Sequence, residues 1–279
     1  MQYVVITGVS SGIGYDATRL LLQKGYYVFG SVRKQADADR AQAEFGDNFK
    51  PLLFDVTDEG GVKTAVPLVQ STVGSTGLAA LVNNAGISTP GPLMHLPPDD
   101  LRYQLEVNVV SVLATTQAFL PLLGAAKDAA QAPGRIVNIS SVSGKIAYPF
   151  MGAYAASKHA LEAMSDSLRR ELLIYGIDVI LIEPGTVQTP IINKFAGQVD
   201  GFRGTDYAPF LALLTATVDK RRASAMPVER VSQAIFQAIS SPHPKTRYAL
   251  PRKWLTGWLL PRWLPDRWFD RMVARQLGF

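Results

Sequence analysis

Tyr154 and Lys158 stand four residues apart in Tyr154-Ala155-Ala156-Ser157-Lys158, inside a long helical pattern. Residues at i and i+4 share a helix face, so phenol and ammonium can reach one point. An ammonium beside a phenol favours phenolate and lowers the tyrosine pKa from its free value of about 10. Such a pair could give and take a proton near neutral pH. A tyrosine and a lysine one turn apart are more often a packed ring and a solvated charge. The surrounding chain therefore decides between the two.

A second stretch concerns phosphate. Thr7-Gly8-Val9-Ser10-Ser11-Gly12-Ile13-Gly14 follows an apolar strand and opens a helix. Glycine lets backbone amides approach a pyrophosphate, and the helix start favours its charge. Gly8-Val9-Ser10-Ser11-Gly12 also matches the G-x-S-x-G of a hydrolase nucleophile. Only nine residues precede Ser10, too few for the strands that fold places before its serine, so a serine hydrolase is a remote alternative. At the end of the second strand, Gly30-Ser31-Val32-Arg33-Lys34 offers no acid for a ribose 2′-hydroxyl. Arg33 could instead hold a 2′-phosphate, with Ser10 donating from the loop opposite. This predicts NADP(H) rather than NAD(H).

Short apolar runs that would position these residues read as strands at 4–6, 26–32, 49–54, 79–82, 135–139 and 178–182. Helical spacing falls at 15–24, 36–45, 62–73 and 153–175, and in 97–123 from an N-cap at Asp99. Pro67 should bend or delimit its helix. A further helix is expected at 227–240 and a last strand at 247–250. Regular alternation predicts an α/β, single-domain, Rossmann-like, doubly wound parallel sheet of about seven strands, with helices on both faces. Residues 1–250 form the catalytic domain, with a substrate lid at about 187–226, and 251–279 form an extension.

Composition narrows the class. The 279 residues are 47% hydrophobic and 18% charged, with no cysteine and three scattered histidines, His95, His159 and His243. No disulfide and no metal site is expected. The sequence shows no signal peptide and no apolar run near the roughly 20 residues that span a bilayer. Net charge is +5, of which +4 lies in 252–279, together with all four tryptophans. A near-neutral body argues against nucleic acid. The expected location is cytoplasmic, with membrane association through the tail left open.

With these motifs in order, the chain resembles the short-chain dehydrogenases/reductases from Val4 to about Ile192. The Thr7–Gly14 loop matches T-G-x-x-x-G-x-G, and Asp55-Val56 matches a pair that contacts adenine. Asn83-Asn84-Ala85-Gly86 matches N-N-A-G after strand four. Asn108 lies at the place of a catalytic asparagine, and Ser141 stands thirteen residues before Tyr154. Pro184-Gly185-Thr186-Val187 follows strand six. The resemblance implies catalytic roles for Asn108, Ser141, Tyr154 and Lys158. It implies cofactor contacts at Gly8, Ser10, Ser11, Gly12, Ile13, Gly14, Arg33, Asp55, Val56, Asn84, Ala85, Gly86, Tyr154, Lys158, Pro184, Gly185, Val187 and Thr189.

A carbonyl substrate needs a hydride on carbon and a proton on oxygen. The nicotinamide handles the first, Tyr154 the second, and Ser141 can polarise the oxygen. Neighbours on a strand face opposite ways, so only one of Ser140 and Ser141 points into the site. Asn108 would hold a water joining Lys158 to solvent, as the resemblance implies. The activity implied is the interconversion of a secondary or lipophilic alcohol and its ketone or aldehyde, near the steroid and retinol branch. A dinucleotide-binding regulator without turnover is the alternative, against which the intact quartet speaks. The resemblance also implies a homodimer or homotetramer paired through the helices near 99–123 and 153–175.

Substrate choice is expected from the lid, through Ile191, Ile192, Phe195, Phe202, Tyr207 and Phe210, and from Met94, Ile146, Tyr148, Phe150 and Met151 nearby. His159 and Lys220-Arg221-Arg222 read as structural and solvated. The tail interleaves Trp254, Trp258, Trp263 and Trp268 with arginine. That suits packing on the body or a neighbouring subunit, a membrane interface, or disorder.

Overall fold

A computed structural model of the chain describes residues 1–190, 197–216 and 223–278. Seven parallel strands form one sheet: β1 Gln2–Ile6, β2 Tyr26–Val32, β3 Phe49–Leu53, β4 Ala80–Asn83, β5 Arg135–Ile139, β6 Asp178–Pro184 and β7 Arg247–Leu250. Their order is β3-β2-β1-β4-β5-β6-β7, so the winding reverses between β1 and β4. In β1, Val5 sits opposite Phe29 on one side and Leu81 on the other. Val4, Val5 and Ile6 are fully buried, as consecutive apolar residues must be in a strand covered on both faces.

The strand period of two divides the core. Val4, Ile6, Val28, Val82, Val137 and Ile180 face α1 (Gly12–Gln23), α2 (Gln35–Phe45) and, in chain order further on, the helix Val228–Ser240. Val5, Phe29, Leu81, Ile136 and Val179 face α3 (Glu59–Val73) and the helices that follow β4. Pro67 neither ends nor splits α3. Pro67 and Lys63, whose carbonyl loses its partner, are both exposed, so water can satisfy that group.

Between β4 and β5 run α4 (Pro98–Leu105), a wide π turn at Glu106–Val110, and α5 (Ser111–Phe119). Pro97 occupies the cap position, and Asp99 lies in the first turn instead. Residues 98–123 are long and apolar enough to cross a membrane, contrary to the expectation from composition. Their buried Gln104, Asn108, Ser111, Thr115 and Thr116, and their place between two strands of one sheet, mark a core element. The long helix α6 (Gly152–Glu171) follows β5. After β6 come α7 (Ala208–Ala216) and α8 (Val228–Ser240), and after β7 come α9 (Leu260–Trp263) and α10 (Asp266–Leu277).

Buried polar bonds tie α5 and α6 to the sheet. Asn83 Nδ2 donates to Thr116 Oγ1 at 3.0 Å and to Asn138 Oδ1 at 2.8 Å, and Asn138 Nδ2 donates to Ser165 Oγ at 2.9 Å. Removing one partner leaves others buried without a bond, at a cost of about 1–3 kcal/mol. Asn83→Ala should lower unfolding free energy by that amount in urea titrations. A change under about 0.5 kcal/mol would contradict the role assigned to this chain of bonds.

Candidate active site

A cleft of about 420 Å³ opens at the carboxyl ends of the strands, where the winding reverses. Every site residue expected from sequence borders it except Gly14 and Asn108, which brace it from behind. At the β1 end, Gly8 and Gly12 take left-handed φ values of +73° and +63°. A Cβ on Gly14 would fall 2.4 Å from Gly8 O and from Asn84 Nδ2, so only glycine fits there. Thr7 Oγ1 accepts the Asn84 and Ala85 amides at 2.9 and 3.0 Å, while Asn84 Nδ2 donates to Thr7 O and Gly8 O at 2.8 and 3.0 Å. These bonds fix the loop before any ligand arrives.

Gly8 N–H itself donates to Ser31 Oγ at 3.0 Å, so Gly8 contributes its conformation rather than that amide. The start of α1 is different. Ser11, at the cap position, makes no side-chain capping bond, which leaves first-turn amides for an anion. The loop and helix start fit the pyrophosphate of a dinucleotide. At the adenosine end, Val32 closes β2, and Arg33 lies exposed with Nη1 3.8 Å from Asp55 Oδ2. Arg40 of α2 reaches the loop as well, its Nη2 donating to Ser10 O at 3.0 Å. Nothing in the sequence pattern marked Arg40, because its nearness to Ser10 arises only when α2 folds back beside the loop.

Across the cleft, α6 presents Tyr154 and Lys158 on one face, with Lys158 Nζ 5.7 Å from the Tyr154 ring centroid. Lys158 Nζ donates to Ile139 O at 2.8 Å, and burial pushes its pKa down to about 8. The Tyr154 phenol differs from expectation. Burial raises its pKa, and a bond from Ser141 offsets this only in part. Desolvating a phenolate outweighs one hydrogen bond, and the ammonium is committed to the β5 carbonyl.

Ser141, singled out by its thirteen-residue interval to Tyr154, faces the phenol; its Oγ accepts Ser143 N–H at 3.1 Å and donates to Pro184 O at 3.4 Å. Ser140 Oγ turns toward Gly144 and has no hydrogen-bond partner. Asn108, in the π turn, accepts Ile87 N–H at 2.9 Å and donates to Ile87 O and Ser157 Oγ at 3.0 Å each. Both its amide hydrogens are taken, so its side chain clamps α6 to the loop after β4.

The remaining wall is the loop after β6. Gly185 N–H donates to Leu250 O, Val187 bridges Met226, and the Thr189 methyl lies against Gly12. Phe202 packs on Gly91, and Gln198 Nε2 donates to Ser88 O at 3.2 Å, so part of the expected lid covers the loop after β4. Phe150 holds a positive φ of 66° for a bulky residue, braced by Tyr207 at 5.7 Å. Of the apolar residues expected near substrate, Met151 borders the cleft, Ile146 and Phe150 are buried, and Met94 and Tyr148 lie at the surface. His159 Nδ1 approaches Ala155 O, in keeping with a structural role. Ile191, Ile192, Phe195 and Lys220-Arg221-Arg222 lie outside the described residues.

Residues 2–199 match the family described as short chain dehydrogenase. The chain belongs to that family. It is an oxidoreductase, and members of its family work with a nicotinamide dinucleotide. It is 43% identical to an NADPH-dependent 3-dehydrocapnine reductase of Ornithobacterium rhinotracheale, over 99% of this chain and 98% of that one. Retinol dehydrogenase 16 of Mus musculus is 34% identical, over 89% and 80%. A short-chain dehydrogenase structure from Streptomyces avermitilis superposes with a TM-score of 0.72 at 25% identity, covering 89% and 87%.

Behind Lys158 this short-chain dehydrogenase buries an ion cluster that sequence reading missed. Glu162 and Glu183 are 3% and 0% exposed. Glu162 Oε2 lies 2.9 Å from Lys145 Nζ and 3.2 Å from Arg247 Nε, and Arg247 Nη2 lies 2.8 Å from Asp166 Oδ1. Arg247 Nε approaches Glu183 Oε1 at 3.3 Å without an aligned bond. Burial, and then the neighbouring Glu162, push the Glu183 pKa up to about 7. A carboxyl whose folded pKa is raised stabilises the fold fully below its unfolded pKa, and that contribution is lost as pH rises through the folded one. Relative to Glu183→Gln, the wild type should lose on the order of 1–3 kcal/mol between about pH 5 and about pH 8. Urea titrations at both pH values, with equal differences between the two proteins, would refute this.

Proposed function

We propose that the protein is an NADP(H)-dependent reductase that interconverts a lipophilic secondary alcohol and its ketone or aldehyde. The carrying observation is the Tyr154 phenol, faced by Ser141 and sharing a helix face with Lys158, in a cleft that runs to the glycine loop. When bound, the nicotinamide supplies or takes the hydride. In the reductive direction Tyr154 Oη–H gives its proton to the substrate oxygen, leaving phenolate. Ser141 Oγ–H donates to the same oxygen and stabilises charge as it develops. Lys158, while protonated, offsets the phenolate charge. Asn108, through Ser157 and Ile87, holds α6 at the right distance from the cofactor loop.

The cofactor reading is supported by Val32 where an acid would stand, by Arg33 on the cleft wall and by Arg40 beside Ser10. The relative whose name specifies NADPH points the same way. Cationic side chains can hold a 2′-phosphate that a carboxylate would repel. The apolar lid and Met151 favour a lipophilic substrate over a sugar. Exposed Tyr103, Val110 and Leu113 on α4 to α5, and Leu173 and Ile174 beyond α6, suit pairing of subunits through the two long helices.

Tyr154→Phe keeps the ring and removes the proton, so ketone reduction should fall by roughly 10²–10⁴-fold. Survival of activity within a few-fold would remove the mechanism. Reductase activity should decline above about pH 8, where Lys158 loses its proton. Changing Arg33 and Arg40 together to alanine should weaken NADPH binding about tenfold or more and leave NADH binding nearly unchanged. Equal losses for both cofactors, read by fluorescence titration, would count against the 2′-phosphate site.

A further inference from the structure

The tail beyond β7 is half committed to the body. Trp258 is 4% exposed, Phe269 meets Tyr148 edge-to-face at 5.9 Å, and Leu277 joins Phe150, Val199 and Leu211. The other side is bare. Trp254, Leu255, Leu259, Trp263 and Trp268 are exposed by 57%, 63%, 41%, 83% and 64%. Leu255, Leu259 and Trp263 recur every four residues and so share a face. Around them stand Arg252, Lys253, Arg262, Arg267, Arg271 and Arg275. None makes an ion pair with a carboxylate among the described residues. Arg262 stacks over Trp258 at 4.8 Å.

We propose that this tryptophan- and arginine-rich face of residues 252–268 docks on the surface of an anionic lipid bilayer. Charge complementarity chooses the occupant. The tail carries +4 and the remaining chain +1. The patch of residues 252–268 itself carries four basic side chains and Asp266, so a second copy pairing through it would set +3 against +3, whereas anionic headgroups neutralise it. Tryptophan rings sit at headgroup depth and leucines just below, with arginines reaching phosphate. Pro261, Pro265 and the charges rule out a spanning helix, so the segment lies along the interface.

All four tryptophans belong to the tail, so intrinsic tryptophan emission of the full chain reports on the tail alone. The protein should co-sediment with vesicles of phosphatidylglycerol and phosphatidylcholine, with emission shifted to the blue, and bind pure phosphatidylcholine far less. Added salt should weaken the binding. Trp254→Ala with Trp263→Ala should reduce vesicle affinity roughly tenfold or more and leave reductase turnover of a water-soluble ketone unchanged. The proposal is overturned if the full chain stays in solution with anionic vesicles, or if the double variant binds as well as the wild type. It is equally overturned if sedimentation shows that the patch is covered by a second copy, with the assembly lost in the variant.

Discussion

The molecule depends on how two neighbouring strands part. β1 and β4 are hydrogen-bonded through Val4–Ile6, and beyond that point their chains leave in opposite senses. Backbone groups at such a fork have no ladder to join, and buried ones must find partners. Thr7 and Asn84 supply them, each side chain bonding the backbone of the other's segment. The crevice left above the fork is where open α/β sheets bind ligands. The same small set of bonds therefore ends the sheet cleanly and holds the glycine loop open. Gly14 shows how little room remains, since a single methyl group would collide with both sides of the clamp.

The chemistry on α6 rests on a different constraint, the disposal of charge in a dry interior. Lys158 is 6% exposed, and its ammonium is kept by one strand carbonyl and by the field of Glu162 one turn on. Glu162 in turn is held by Lys145 and Arg247, and Arg247 also reaches Asp166 and Glu183. The last strand, far from Tyr154 in sequence, thus supplies a cation that helps hold Glu162 beside the lysine and reaches Glu183 as well. Removing the Arg247 guanidinium would leave buried carboxylates short of counter-charge, which is costlier than never having built the cluster.

Most of the fold was legible because its signals are local. Short apolar runs separated by helical spacing located all seven strands, including β2, β5 and β7 to the residue. The polar motifs placed Ser141, Tyr154, Lys158 and the glycine loop on one cleft. What escaped was created by folding. Arg40 meets Ser10, and Arg247 meets Glu162, across thirty and eighty-five positions of chain. Asn108 was found, but its clamp on Ile87 and Ser157 depends on how two helices approach. The phenol was expected to be acidified by its lysine. Burial reverses the sign, and no spacing rule reports burial. Pro67 misled for a related reason: its helix faces water exactly where the missing bond would otherwise matter, so the proline costs little.

The wide turn at Glu106–Val110 carries one more implication. A π turn amounts to one extra residue accommodated in an α-helix. Deleting a residue there would restore regular winding and leave the phase of α5 largely as it is, so Thr116 would still face Asn83. Asn108 lies inside the turn, and its bonds to Ile87 and Ser157 would be re-aimed with the backbone that carries them. The extra residue thus serves the cleft rather than the core. Its loss would loosen the clamp on α6 while the sheet kept its buried partners.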